Sequence, residues 1–289
     1  MKYSNIAALR QALEERLRSQ AIKTGMPLIR LRKMVAFERL LARLVHGDDK
    51  RWILKGGFAL ELRLGVRART TNDLDLLATI PLTRERLHQA IIQAALKNMN
   101  DGFQFEVRQA TDTNPARYTV HALLDGRTFE NFHLDIGTGD PIVGPLEYIT
   151  TPNLLAFADI PPVHVPCYPL AQQLAEKVHA YTLPYKTGET TRVKDWVDIL
   201  LIAETGRFSA KCLSDSLHAT FDARQTHALP EKLPKPPVSW ARTFKKLADE
   251  VQLGFEDLFD AGEAVSQFLD PILAGQVRGQ WNPTSWRWE

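Results

Sequence analysis

Apolar side chains recur at helical spacing from the start of the chain. In residues 5 to 20, Ile6, Leu9, Leu13 and Leu17 share one face and predict a helix, and the stretch PLIRLRKMVAFERLLARLVHG predicts a second that stops at Gly47. The pattern then shortens. WILKGG reads as a buried strand entering a glycine turn, ALELRLG as a helix stopped by Gly65, and NDLDLLATI as an alternating strand. Residues 84 to 99 form an amphipathic helical pattern. DGFQFEVRQAT, RYTVHALLD and RTFENFHLDIGTG read as strands, the last two joined by a hairpin at Asp125-Gly126. The proline-rich segment 160 to 169 marks a crossing to a second part in which helical patterns dominate, and PEKLPKPPV, residues 230 to 238, reads as a linker or surface loop. No internal repeat is visible. The expectation is an α/β or α+β chain with a mixed sheet, organised as residues 1–160 and a mainly helical 161–289.

Composition narrows this picture without changing it. The 289 residues allow about two domains at roughly 150 residues each, and 44% apolar content is enough to fill them. With 36 Lys and Arg against 34 Asp and Glu, the formal charge is +2, so any nucleic-acid surface has to be local. Cys167 and Cys212 form no CxxC pair, and the first residues show no charged-then-apolar leader, which argues against a disulfide framework and for a cytoplasmic protein. No apolar run approaches the ~18 residues of a membrane span, so no membrane role is expected.

The candidate chemistry lies in KGGFALELRLGVRARTTNDLDLL. An extended NDLDLL places Asp73 and Asp75 on one face, about 6 to 7 Å apart, with Leu74 and Leu76 on the other. Two carboxylates so placed repel each other, and divalent cations such as Mg²⁺ or Mn²⁺ reverse that repulsion by binding both. Upstream, Gly56 and Gly57 lie between a strand and a helix, where bare backbone can approach an anion and helix N–H groups can hold a triphosphate. Gly-Gly and D-x-D are each common in ordinary turns and strands; their order and their separation by one helix give them weight. Asp135, on an apolar-flanked strand before a glycine turn, is a candidate third acid, as general base or metal ligand; a turn-capping role is the alternative. His133 shares its strand face, but with no other clustered His or Cys it reads as a core or surface histidine.

Two later helices carry polar residues. Leu170, Leu174, Val178 and Tyr181 form a stripe with Lys177 at its edge, where its stem packs and its ammonium reaches a cleft. In RVKDWVDILLI, Val193, Trp196, Val197 and Leu200 form the buried face, leaving Lys194, Asp195 and Asp198 on the polar side, with a solvated Lys194–Asp198 pair as the plain alternative.

KGGFALELRLG…RTTNDLDL resembles the first motif of AbiEii/AbiGii-type nucleotidyltransferases, toxins of type IV toxin–antitoxin pairs in the polymerase-β-like superfamily, and especially the mycobacterial MenT group. PLAQQLAEKVHAYT and TRVKDWVDILLI resemble the family's lysine-bearing and D-x-x-D helices. The resemblance spans most of residues 30 to 205. It implies two lobes with the active site between them. Gly56, Gly57, Lys177 and Arg63 would grip the nucleotide triphosphate, Asp73 and Asp75 with Asp135 would hold metal, and Asp198 would be an essential acid. Thr71 would stand beside the nucleotide and align with a hydroxyl that a related antitoxin phosphorylates; such a phosphate adds about −1.5 to −2 charges and blocks nucleotide entry. Where many superfamily members place Ser or Thr after the glycine, this chain has Phe58, so the grip relies on backbone amides.

The resemblance also implies a monomer that adds nucleotides to the 3′ end of tRNA, stops aminoacylation and translation, and is neutralised by a cognate antitoxin. The residues themselves leave the acceptor open between tRNA, a protein side chain and a small molecule such as an antibiotic, or point to a catalytically silent nucleotide- or RNA-binding module. Arg63, Arg67 and Arg69, with Arg30, Arg32, Lys33, Arg39, Arg43, Lys50 and Arg51, form a basic run suited to RNA phosphates unless it is simply a solvated helix face. Trp281, Trp286 and Trp288, beside Arg278 and Arg287, either stack on bases, dock an antitoxin or pack back on the chain.

Overall fold

The computed structural model describes residues 2–3, 5–47, 51–80, 83–111, 114–184 and 190–289. Lys50, placed above in the basic run, lies outside the described residues. The chain divides into two compact units: residues 1–63, 70–139 and 148–167, and residues 64–69, 140–147 and 168–289.

The first unit is built on a mixed sheet. Helix α1 (Ile6–Thr24) starts where the Asn5 side chain accepts from the amides of Ala7 and Ala8, and ends where Gly25 turns left-handed at φ 73. Helix α2 (Leu28–Leu44) follows a proline. Then come β1 (Trp52–Lys55), α3 (Gly56–Leu64), β2 (Asp73–Ala78), α4 (Arg84–Ala95), β3 (Phe103–Thr111), β4 (Asn114–Leu124), β5 (Arg127–Thr138), β6 (Glu147–Thr150) and β7 (His164–Cys167). The sheet order is β3-β4-β5-β2-β1-β7-β6. β2 pairs parallel with β5 and antiparallel with β1, while β4 and β5 form the expected hairpin around Asp125 and Gly126. Phe37 of α2 meets Phe58 and Phe132 edge-on at 4.9 and 4.8 Å, locking helix to sheet; such pairs contribute about 0.5–1.5 kcal/mol each beyond their burial.

Three details depart from the sequence expectations. The helix after β1 begins at Gly56 itself, with no separate turn. The helix expected over 84–99 ends at Ala95. The proline-rich segment 160–169 contains β7, a buried strand paired in parallel with β1.

The basic run is also corrected. Arg43 is fully buried and bidentate to Asp101 at 2.7 and 2.8 Å, with its guanidinium over the Phe105 ring. Arg39 pairs with buried Glu38 at 2.7 Å, Arg30 with buried Glu61, and Arg32 with Glu14. Helix α2 is packed on nearly every side, so its buried arginines each meet a counter-ion, Glu38 on the same helix and Glu61 and Asp101 from elsewhere in the chain. Arg30, Arg39 and Arg43, all buried, hold the unit together and are not a surface for RNA.

The second unit is mainly helical: α5 (Leu170–Thr182), α6 (Val193–Thr205), α7 (Ala210–Arg224), α8 (Ala241–Val251) and α9 (Leu258–Leu273), closed by a small ribbon of β8 (Trp281–Asn282) and β9 (Arg287–Trp288). The tryptophan tail packs back on this unit. Trp281 is buried and donates to the Ala203 carbonyl at 2.8 Å, Trp286 donates to Ala264 and Trp288 to Phe268, whose ring lies parallel to that of Trp288. Indole rings that each find an N–H acceptor bury their apolar area without an orphaned donor. Residues 230–237 form no helix or strand, as expected. Among the described residues no helix is long and apolar enough to cross a membrane.

Candidate active site

Neighbouring strands of the first unit bring the acids together. On β2, Asp73 and Asp75 are partly exposed while Leu74 and Leu76 are buried, the alternation that NDLDLL predicts. Asp75 stands opposite Lys55 of β1 on one side and opposite Asp135 of β5 on the other, and Asp135 stands opposite Arg117 of β4. One register line across four strands therefore reads Lys55, Asp75, Asp135, Arg117: positive, negative, negative, positive. Asp73 lies one pleat away, opposite His133.

Arg117 ties the acids to one another. Its Nη2 donates to Asp73 Oδ1 at 2.8 Å, and its Nε lies 3.5 Å from Asp135 Oδ1. Burial pushes the Asp135 carboxyl above its usual range; Arg117 opposes this and the Asp73 charge adds to it. Both Arg117 Nε and Asp135 Oδ1 are buried without a hydrogen-bond partner, as is His133 Nδ1.

The glycines press on this row. Gly56 has φ +66, and a Cβ there would fall 2.0 Å from Asp75 Oδ2 and 2.7 Å from Asp75 Cβ. A Cβ on Gly57 would fall 2.7 Å from Thr71 Oγ1. The start of α3 is thus in contact with the carboxylate of one acid and with the hydroxyl that begins the acidic strand. Thr71 is 6% exposed and exchanges hydrogen bonds with the backbone of Asp73, which fixes the turn into β2. Gly56→Ala is expected to destabilise the protein by on the order of 2 kcal/mol, from the left-handed backbone and the displaced Asp75. A urea-unfolding midpoint equal to wild type would contradict this packing.

The second unit holds a different charged cluster. Lys177 on α5 donates to Asp198 on α6 at 2.6 Å and to Asp195 at 3.3 Å. Arg69 clasps the same Asp198 carboxylate with Nε and Nη2 at 2.9–3.2 Å, and Arg192 approaches Asp195 at 3.6 Å. Asp198 is buried, a correction to its expected place on a polar face; its partners are Lys177 and Arg69, and Lys194 is exposed. Burial works against the Asp198 charge, but the two cations outweigh it and hold its carboxyl below the usual range. For Lys177 burial is likewise overcome, by Asp198 and then Asp195, and its ammonium is held above its usual range. Sequence reading named Lys177, Asp198 and Arg69 but not their union, and it missed Lys55 and Arg117 altogether. Of the other named residues, Arg63 donates to the Ala59 carbonyl of its own helix, and Arg67 pairs with Glu204.

The model of the family described as "Nucleotidyl transferase AbiEii toxin, Type IV TA system" matches residues 39–270, a span containing both clusters. The chain belongs to this family. AbiEii membership makes it a nucleotidyltransferase of the toxin type, with a nucleoside triphosphate as substrate and an antitoxin as the implied partner. The fold is similar to that of MenT4, a nucleotidyltransferase toxin from Mycobacterium tuberculosis H37Rv, at 18% identity and TM-score 0.58 over 91% of this chain and 98% of that one. JHP933 from Helicobacter pylori aligns at 20% identity and TM-score 0.46, over 84% of this chain and 94% of that one. No curated protein matches.

AbiEii enzymes imply a divalent metal. Among the described residues no three His, Cys, Asp or Glu side chains are gathered closely enough to ligate one ion. The donor chemistry nevertheless fits. Asp73, Asp75 and Asp135 offer only hard carboxylate oxygens, which suit Mg²⁺ or Mn²⁺, and the buried Asp135 Oδ1 has no hydrogen-bond donor.

Proposed function

We propose that the protein transfers a nucleoside monophosphate from a nucleoside triphosphate to the 3′ hydroxyl of tRNA, so that aminoacylation and translation stop, until a cognate antitoxin neutralises it. The observation that carries the chemistry is the charged row Lys55, Asp75, Asp135, Arg117 with Gly56 pressed against Asp75, in a chain of this family.

In this reading the acceptor oxygen attacks the α-phosphorus, the bond from that phosphorus to the bridging oxygen breaks, and pyrophosphate leaves. Asp135 or Asp75 takes the hydroxyl proton as it leaves the acceptor oxygen. Asp73 and Asp75, with Asp135 completing the set, would hold Mg²⁺ or Mn²⁺, which neutralises developing phosphate charge when bound. The α3 amides at Gly56 and Gly57, with Arg63 and Thr71, hold the triphosphate, and in the second unit Asp198 keeps Lys177 charged. The protein acts as a cytoplasmic monomer.

Support for a nucleic-acid acceptor comes from cations that the internal ion pairs leave over. Lys232, Arg242, Lys245 and Lys246 are exposed, and among the described residues none has an ion pair or hydrogen bond. Arg242 also sits in the first turn of α8, where the helix dipole disfavours a cation. The double substitution Lys245→Ala, Lys246→Ala is expected to weaken tRNA binding and lower the slope of log affinity against log salt by about 2. Fluorescence anisotropy of labelled tRNA across a salt series reads this, and an unchanged slope removes α8 from the acceptor surface. The function itself is tested by supplying labelled nucleoside triphosphates with total tRNA, a protein lysate or small-molecule acceptors. Label in the tRNA fraction supports the proposal, and label confined to another fraction replaces tRNA as the acceptor.

A further inference from the structure

Arg117 is not built like the other internal arginines. Arg43 and Asp101 have side chains 1% and 2% exposed and are joined by two short hydrogen bonds. Arg117, Asp73 and Asp135 are each about one-third exposed, at 35%, 38% and 31%. The pairing is also incomplete. Arg117 makes one good hydrogen bond, to Asp73, while its Nε and the facing Asp135 Oδ1 remain 3.5 Å apart, both buried and both unsatisfied. Buried polar atoms left unpaired cost on the order of a lost hydrogen bond, so such an arrangement calls for a second state in which they are satisfied.

We propose that Arg117 is an exchangeable internal counter-ion: it screens Asp73 and Asp135 in the resting protein and competes for them with the divalent cation. The inference rests on the reading of these carboxylates as the metal site. Without Arg117 the acids on adjacent strands repel, which raises their demand for any other cation. With it, the repulsion is partly relieved and the cluster stays folded before the ion arrives, and the ion must displace a tethered guanidinium to bind. A solvent-open pair at the end of one long side chain exchanges without unfolding the sheet; the sealed Arg43–Asp101 pair does not. Released from the acids, the guanidinium still projects from β4 with its forked donors free for a phosphate.

The test is Mn²⁺ binding, read by the loss of the free-ion electron paramagnetic resonance signal, for wild type, Arg117→Gln, Arg117→Lys and Asp73→Asn, with no nucleotide present. The proposal expects Arg117→Gln to bind Mn²⁺ about tenfold tighter than wild type, a difference of about 1.4 kcal/mol. Arg117→Lys, which keeps the charge, stays within about threefold of wild type, and Asp73→Asn binds far more weakly. Thermal unfolding in EDTA checks the fold: Arg117→Gln melts lower than wild type and regains more on adding Mn²⁺. If Asp73→Asn weakens Mn²⁺ binding but Arg117→Gln binds no tighter than wild type, Arg117 is not a competitor, although the metal site stands. If Asp73→Asn binds Mn²⁺ as wild type does, the metal site is elsewhere and the inference fails with it.

Discussion

Asp198→Ala is expected to cost the protein about 3–5 kcal/mol of stability, because it strips the counter-ion from a buried ammonium and from the guanidinium that clasps the same carboxylate. Lys177 is buried, and its charge is held in place by Asp198 first and Asp195 second; with Asp198 gone, Asp195 alone at 3.3 Å offsets only part of the ammonium's desolvation. Urea unfolding followed by circular dichroism measures this, and a loss below about 1 kcal/mol would place the cluster in the class of weak surface pairs. The double substitution Lys177→Met, Asp198→Leu separates structure from function. Replacing a buried pair by apolar groups of similar size is often neutral for stability, so the double variant recovers much of the loss while nucleotidyl transfer stays absent. The pH dependence follows from the same contacts. Asp198 titrates below its unfolded value, so its contribution is present above about pH 4 and is lost as the pH falls further. Lys177 titrates above its unfolded value, so its contribution is present below about pH 10 and is lost as the pH rises through the folded value. Between these limits the pair contributes a flat plateau.

The second large effect falls on catalysis. Asp73→Asn is expected to reduce nucleotide transfer by about 10³-fold or more, the scale seen when one preorganised electrostatic contact to a reacting centre is removed. Stability should change little, because Asp73 is more than one-third exposed and its loss removes a like-charge neighbour of Asp135 along with one bond from Arg117. Steady-state kinetics with a labelled triphosphate, paired with a melting curve, checks both halves. A variant that melts as wild type and keeps its rate would take Asp73 out of the chemistry.

Much of the fold was legible because the signals were local. Helical spacing placed α1 and α2, alternation placed β2 and β5, and Asp125-Gly126 placed the hairpin. The opposite faces of Asp73 and Leu74 followed from the pleat alone. What was not legible depends on strand order. Lys55, Asp75, Arg117 and Asp135 come from four separate strands and meet because β1, β2, β5 and β4 lie side by side, which no short window shows. The one local cue for Arg117 is that it opens the alternating stretch RYTVHALL.

Charge misled in a consistent way. A helical wheel places Asp198 away from Val197 and Trp196 but is silent about which helix covers it, and Lys177 of α5 does. Arg30, Arg39 and Arg43 looked like a phosphate-binding run because their partners Glu61 and Asp101 lie 31 and 58 residues away; Glu38 sits beside Arg39 yet is itself buried. Net charge near zero was the warning, since so many cations in one region must find acids somewhere. For the tryptophan tail, the three indole N–H donors found carbonyls in α6 and α9, so the tail packs back on its own unit.

The acids of the first unit are expected to run nucleotidyl transfer, as distinct from phosphoryl transfer or silent binding. The direct measurement compares α-³²P- and γ-³²P-labelled nucleoside triphosphates incubated with wild type and tRNA, beside Asp73→Asn and Asp135→Asn. Label is expected at the tRNA 3′ end from the α-labelled nucleotide alone, with γ-label released as pyrophosphate and neither substituted protein active. Label arriving from the γ position, or equal labelling by the substituted proteins, would contradict it.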